Sequence, residues 1–175
     1  MYILAQIIGV LAVASYLLSY QFKKRKHIIL VNATSSCLYV LQYILLGAFV
    51  GAVLDVLSAL STFAAGRKNK GFVSRHKTAV IICLNLSFVV AGLCLYENIF
   101  SLFPIAGAIF QTSAFWITDE KIIRLVSLLG APFWLCYNLE SQAYGPVLGS
   151  IFAIISLLIA IYRYDIRPKY SRKKS

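Results

Sequence analysis

TAVIICLNLSFVVAGLCLY, residues 78–96, is an apolar run standing between two halves of the chain that each hold three more such runs. At about 1.5 Å per residue, a helix of that length crosses a hydrocarbon core of roughly 30 Å. A three-helix unit recurs in the same orientation only if one extra span separates the copies, because three crossings leave the chain on the opposite side of the bilayer. The run therefore reads as an unpaired fourth span. The expected architecture is an all-α polytopic membrane protein of seven spans, three plus one plus three. Residues 1–65 and 98–164 form the two repeats, residues 66–97 a basic loop and the linker span, and residues 165–175 a basic tail.

Composition points the same way. With 60% hydrophobic and 13% charged residues and a mean hydropathy of +0.79, the chain is far from an ordinary soluble domain. A net charge of +11 raises the question of nucleic acid, but that needs a basic stripe with interleaved aromatics. The basic residues instead fall in short clusters between apolar runs, as in cytoplasmic loops. The expected partner is the lipid bilayer and not nucleic acid.

Those clusters set an expected orientation. Lys and Arg number four at 23–26, five at 67–77, two at 121 and 124, and six from 163 onward, which is all 17. With seven spans every cluster falls on one side, so the N-terminus is expected outside and the C-terminus in the cytoplasm. The first run, residues 2–22, is followed by Lys23, Lys24, Arg25 and Lys26 and is not preceded by charge, unlike a secretory signal. It is expected to remain as a span. The others are expected at 27–47, to about 65, 78–96, 99–117, 122–139 and 145–164.

Cys37, Cys83, Cys94 and Cys136 stand singly in apolar runs, without a CxxC pair or a histidine at ligand spacing. They read as reduced core thiols, and no metal or cofactor is expected. His27 and His76 sit beside lysines in basic loops and read as solvated.

Sliding residues 6–66 along 101–161 at an offset of 95 superimposes the first three spans on the last three without a gap. Identities are few, so the polar positions carry the comparison. On the second span Asn32, Ser36, Tyr39 and Tyr43 share one face, with Gln42 beside it. Their equivalents are Ser127, Ala131, Trp134 and Asn138, with Tyr137 matching Gln42. Asp55, Ser58 and Thr62 form a stripe on the third span, and Gln111 lies on the fifth.

In lipid such stripes either glue helices together or wall a wet cavity. The cavity reading places a pocket between the repeats, lined by Asn32, Ser36, Tyr39, Ser58, Gln111, Trp134 and Asn138. Asp55 is a functional candidate as an ionisable residue in a span, able to add proton coupling if the pocket opens outward. Its position about one turn into the third span also suits a wet interfacial carboxylate. Pro104 and Pro132 are interior to their spans and expected to kink them, whereas Pro146 sits near a helix start. The Gly47/Gly51 and Gly145/Gly149 spacings read as turn geometry over dimer faces, which leaves a homo-oligomer open. Asn85 and Ser87 on the fourth span are expected to pack on neighbouring helices.

Gln21-Phe22-Lys23 with Arg25-Lys26, Leu45-Leu46-Gly47-Ala48, Tyr137-Asn138 and Arg163-Tyr164-Asp165 give the chain, over nearly its whole length, a pattern that resembles the YgjV-type bacterial inner-membrane proteins. That family looks distantly similar to the SWEET and PQ-loop transporters. The resemblance implies two parallel three-helix repeats, an inversion-linker helix and a central pocket. The Pro-Gln dipeptide of those transporters is missing, since Gln111 follows Phe110 and Pro104 stands apart. The expected function is movement of a small uncharged polar solute, because the lining is mostly neutral. The alternative is a non-transporting membrane scaffold or subunit. No nucleotide-binding loop or catalytic constellation suggests an enzyme.

Overall fold

The computed structural model describes residues 1–19 and 25–166, and side chains within the helices except those of residues 16–33. The described chain is all helical. Its helices are α1 (Tyr2–Ser19), α2 (Arg25–Leu46), α3 (Phe49–Gly66), α4 (Gly71–Arg75), α5 (Lys77–Cys94), α6 (Leu102–Ala114), α7 (Glu120–Glu140) and α8 (Tyr144–Ala160). A 3₁₀ turn, Ile99–Ser101, leads into α6, and a π-helical turn, Ile161–Ile166, follows α8. Among the described residues, α3, α5, α7 and the stretch Tyr144–Ile166 are long and apolar enough to cross a membrane, and shorter apolar helices cover Tyr2–Ser15, Thr34–Leu46 and Ile99–Ala114.

Polar residues mark where helices begin. The Asn98 side chain accepts from Phe100 N at 2.9 Å, and Ser101 Oγ accepts from Asn98 N at 3.4 Å, a reciprocal cap that starts the 3₁₀ turn. Asp119 Oδ1 accepts from Lys121 N at 2.8 Å and Ile122 N at 3.3 Å, so the acidic pair 119–120 opens α7. At the far end of α6, the Lys68 ammonium donates to Phe115 O and Ile117 O at 3.2 and 3.0 Å. It places a cation on carbonyls that a helix end leaves open. The basic stretch expected as a plain loop folds at 71–75 into the single turn α4.

Backbone features recur at the offset of 95. Helices α2 and α7 start at Arg25 and Glu120, and α3 and α8 at Phe49 and Tyr144. The α2–α3 and α7–α8 turns are built alike. Gly47 has φ +74° and Gln142 +53°, while Ala48 and Ala143 have φ/ψ of −82°/60° and −86°/74°. Ala48 N donates to Tyr43 O and Ala143 N to Asn138 O, both at 2.9 Å. This left-handed closure is easy for Gly47 and strained for Gln142.

Neighbours recur as well. The pairs α1–α2, α2–α3 and α1–α8 pack together, and so do α6–α7, α7–α8 and α6–α3, while α5 lies against α3 and α6. The α1–α2 crossing has Ser35 donating to Ala12 O at 2.7 Å. At the equivalent α6–α7 crossing, Gly130 faces Gly107, where an added Cβ would lie 3.1 Å from the Gly107 carbonyl oxygen. Asn85 donates to Ile81 O at 2.8 Å and accepts from Ser113 of α6 at 3.5 Å, and Ser87 donates to Cys83 O on an exposed face.

Several expectations change. All four cysteines are free and exposed, on outward helix faces and not in the core. Pro104 is the third residue of α6, in the first turn, where the missing N–H has no intrahelical acceptor to lose. Among the described residues, Pro132 is the proline inside its helix. Gly145 is helical, and its Cβ would meet the Gly9 backbone at 2.6 Å. It is thus a close crossing of α1 and α8 and not a turn glycine.

Candidate functional site

The described polar side chains concentrate near the end of the bundle that carries the two matching turns. Tyr43 Oη donates to Asn138 Oδ1 at 2.7 Å, with both residues buried. Asn138 Nδ2 donates onward to Ser150 Oγ at 3.2 Å. Ser150 is the equivalent of Asp55 at the offset of 95. Three helices therefore contribute to one hydrogen-bonded row, Tyr43 of α2, Asn138 of α7 and Ser150 of α8.

Tyr137 closes the row on one side. Its hydroxyl accepts from Gly51 N at 2.9 Å, and its ring lies 6.3 Å from that of Tyr43. Gly51 is the third residue of α3, so its N–H is one of those a helix start leaves unpaired. The equivalent third residue of α8 is Pro146, which has no N–H. One half answers the orphan donor with a tyrosine and the other removes it. On the other side Gln42 donates to Gln6 Oε1 at 3.3 Å, and Gln6 donates to Gln142 O at 2.7 Å.

Hydrogen bonding leaves some of these buried polar atoms unpaired. Among the described residues, Tyr39 Oη, Gln42 Oε1, Asp55 Oδ2, Ser58 Oγ and Trp134 Nε1 are buried without a hydrogen-bond partner. Tyr39 and Trp134 occupy equivalent positions of α2 and α7. Each lies close to a glycine of another helix: a Cβ on Gly149 of α8 would lie 3.1 Å from Tyr39 Oη, and one on Gly107 of α6 2.7 Å from the Trp134 ring. Buried polar atoms are rarely left unpaired, because each costs about 1–3 kcal/mol.

Of the residues expected to line a pocket, Tyr39, Asp55, Ser58 and Trp134 thus carry partnerless buried atoms, and Asn138 is bound to Tyr43 and Ser150. Ser36 is half-buried on α2. Gln111 is exposed on α6 and is not part of this group. Asn32 lies outside the described side chains, as do Lys23, Lys24 and the end of the first expected span. Asp55 is half-buried in the second turn of α3, with Oδ2 buried. Open cavities of about 360 Å³ along α1 and 460 Å³ between the ends of α3 and α6 lie elsewhere.

The sequence places Tyr43 on the second span's polar face and Tyr137 at the position matching Gln42, both outside the expected pocket. A signal was present for the first: Tyr43 and Asn138 are equivalent at an offset of 95, and equivalent positions facing one axis are the ones able to meet across it.

Long apolar helices, outward apolar faces and an internal polar row define a helical, multi-span membrane protein. Residues 3–167 match the model of the Imp-YgjV family, described as bacterial inner membrane protein, and the chain belongs to that family. No curated protein and no solved structure matches it.

Proposed function

We propose that this inner-membrane protein is transporter-like and moves a small uncharged polar solute between two triple-helix repeats, residues 1–65 and 98–164, with α5 as the linker span. In this reading the chain is not an enzyme, its N-terminus is outside and its C-terminus is cytoplasmic. The observation that carries it is the group of partnerless polar atoms on Tyr39, Asp55, Ser58 and Trp134. A scaffold gains nothing from unpaired hydrogen-bonding groups in a bilayer, whereas a solute able to donate and accept would pair them. Tyr39 and Trp134 also offer flat apolar faces beside their polar atoms. The likeness to SWEET and PQ-loop transporters supports the same plan.

The second reading, a non-transporting scaffold or subunit, is favoured by a different observation. The bonds Tyr43–Asn138, Tyr137–Gly51 and Gln42–Gln6 use polar groups as helix-to-helix glue. Uptake by proteoliposomes separates the two. A library of neutral polar solutes, such as sugars, polyols and amides, contains at least one that enters faster than into protein-free vesicles. Uptake equal to that of empty vesicles across the library supports the scaffold.

A further inference from the structure

Asp55 differs from the other acidic side chains in its surroundings. Glu97, Asp119, Glu120 and Glu140 are exposed, and Asp165 receives two bonds from the Arg124 guanidinium, at 2.7 and 3.0 Å. Asp55 sits in the second turn of α3 with Oδ2 buried and partnerless. Among the described residues no lysine, arginine or histidine forms an ion pair with it.

Its surroundings are built by α2, α5 and α6, which pack on α3, and by α7 through Tyr137. On α2 the Tyr43 hydroxyl is held by Asn138, and the Tyr39 hydroxyl is buried and partnerless. On α3 itself, Ser58 stands three residues on, sharing the face of Asp55, and its Oγ is also partnerless. Helix α6 contains no titratable side chain, and on α5 Lys77, Cys83 and Cys94 are all exposed. The Tyr137 hydroxyl of α7 is held by Gly51 N. The donor set left over is one carboxylate with two hydroxyls, all oxygen, carrying a single ionisable acid and no basic partner.

An uncompensated carboxylate inside a membrane costs several kcal/mol. One monovalent positive charge removes that cost, and hard oxygen donors suit it. We infer that Asp55, with the Ser58 and Tyr39 hydroxyls, is the seat of a monovalent cation, a proton or a sodium ion, taken up together with the neutral solute. A proton adds to the carboxylate, and sodium sits on its oxygens. In both cases the loaded site carries no net charge, and Trp134 Nε1 remains for the solute. The coupling to a solute rests on the transport reading. The cation seat itself does not.

Infrared difference spectroscopy on the full-length protein in lipid nanodiscs tests it without any solute. If the cation is a proton, acidification in sodium-free buffer converts a carboxylate band to a neutral-carboxyl band that is missing in Asp55→Asn. If it is sodium, exchanging choline for sodium at fixed pH shifts a carboxylate band that is again missing in Asp55→Asn. Ser58→Ala keeps the acid and folds independently of that substitution, and its half-saturating cation concentration changes about tenfold, as for loss of a supporting ligand group. Wild-type spectra that match Asp55→Asn in both exchanges overturn the inference, as does a Ser58→Ala titration identical to wild type. A cation response without solute uptake refutes transport and leaves the seat standing. Solute uptake without a cation response refutes only the seat.

Discussion

The Tyr43 hydroxyl and Asn138 Oδ1 meet at 2.7 Å although the residues are 95 positions apart, the same offset that relates the two halves of the chain. The bond joins α2 to α7, two helices whose first residues, Arg25 and Glu120, are also 95 apart. Polar pairs inside membranes contribute modestly, about 0.5–2 kcal/mol. A double-mutant cycle on Tyr43→Phe and Asn138→Ala, read by unfolding in mixed micelles, is expected to give a coupling energy in that range. Additive effects would show that the bond does not form in solution.

The α1–α8 crossing depends on two glycines. A methyl group on Gly145 would fall 2.6 Å from the Gly9 backbone, whereas one on Gly66 meets nothing within 4 Å. Gly145→Ala is expected to destabilise by about 1–3 kcal/mol, as overpacking does, and Gly66→Ala to change little. Equal midpoints in thermal unfolding for the two variants contradict the close crossing.

Removing the Tyr137 hydroxyl leaves the Gly51 N–H buried without an acceptor. Tyr137→Phe should therefore cost about 1–3 kcal/mol and speed hydrogen exchange at the first turn of α3. The first turn of α8, where Pro146 has no N–H to lose, should keep its exchange rate. Unchanged exchange at Gly51 would assign the contact no role.

Much of this arrangement was legible before any coordinates. Apolar length and flanking charge located the helices, and the offset of 95 paired Tyr43 with Asn138 and Tyr39 with Trp134. The misreadings share a cause, which is that helical spacing gives a face but not what the face meets. Gln111 lies outward on α6, and the cysteines, as apolar as their neighbours, face outward as easily as inward. Gly145 was indistinguishable from a turn glycine without knowing that Gly9 opposes it. Pro104 reads as interior in a span starting at Ile99, whereas the 3₁₀ turn at Ile99–Ser101 moves the start of α6 to Leu102.

Orientation follows from charge. The clusters at 67–77 and from 163 onward are expected on the cytoplasmic side. A reporter active only outside the inner membrane is expected to be silent when fused after Ser175 and active when fused before Met1. The opposite pattern would invert the topology and place the matching turns in the cytoplasm.

In the transport reading the partnerless polar atoms border a path for water and solute, and reagent access reports on that path. In a background with Cys37, Cys83, Cys94 and Cys136 replaced by alanine, single cysteines are placed at Ser36, Ser58 and Leu54. Serine to cysteine changes side-chain volume little, and Leu54 is fully buried and serves as the closed control. In membrane vesicles, a small water-soluble thiol reagent is expected to modify positions 36 and 58 and to spare 54. Protection of 36 and 58 equal to that of 54, while a loop cysteine labels fully, would contradict the account and leave the polar row as helix packing alone.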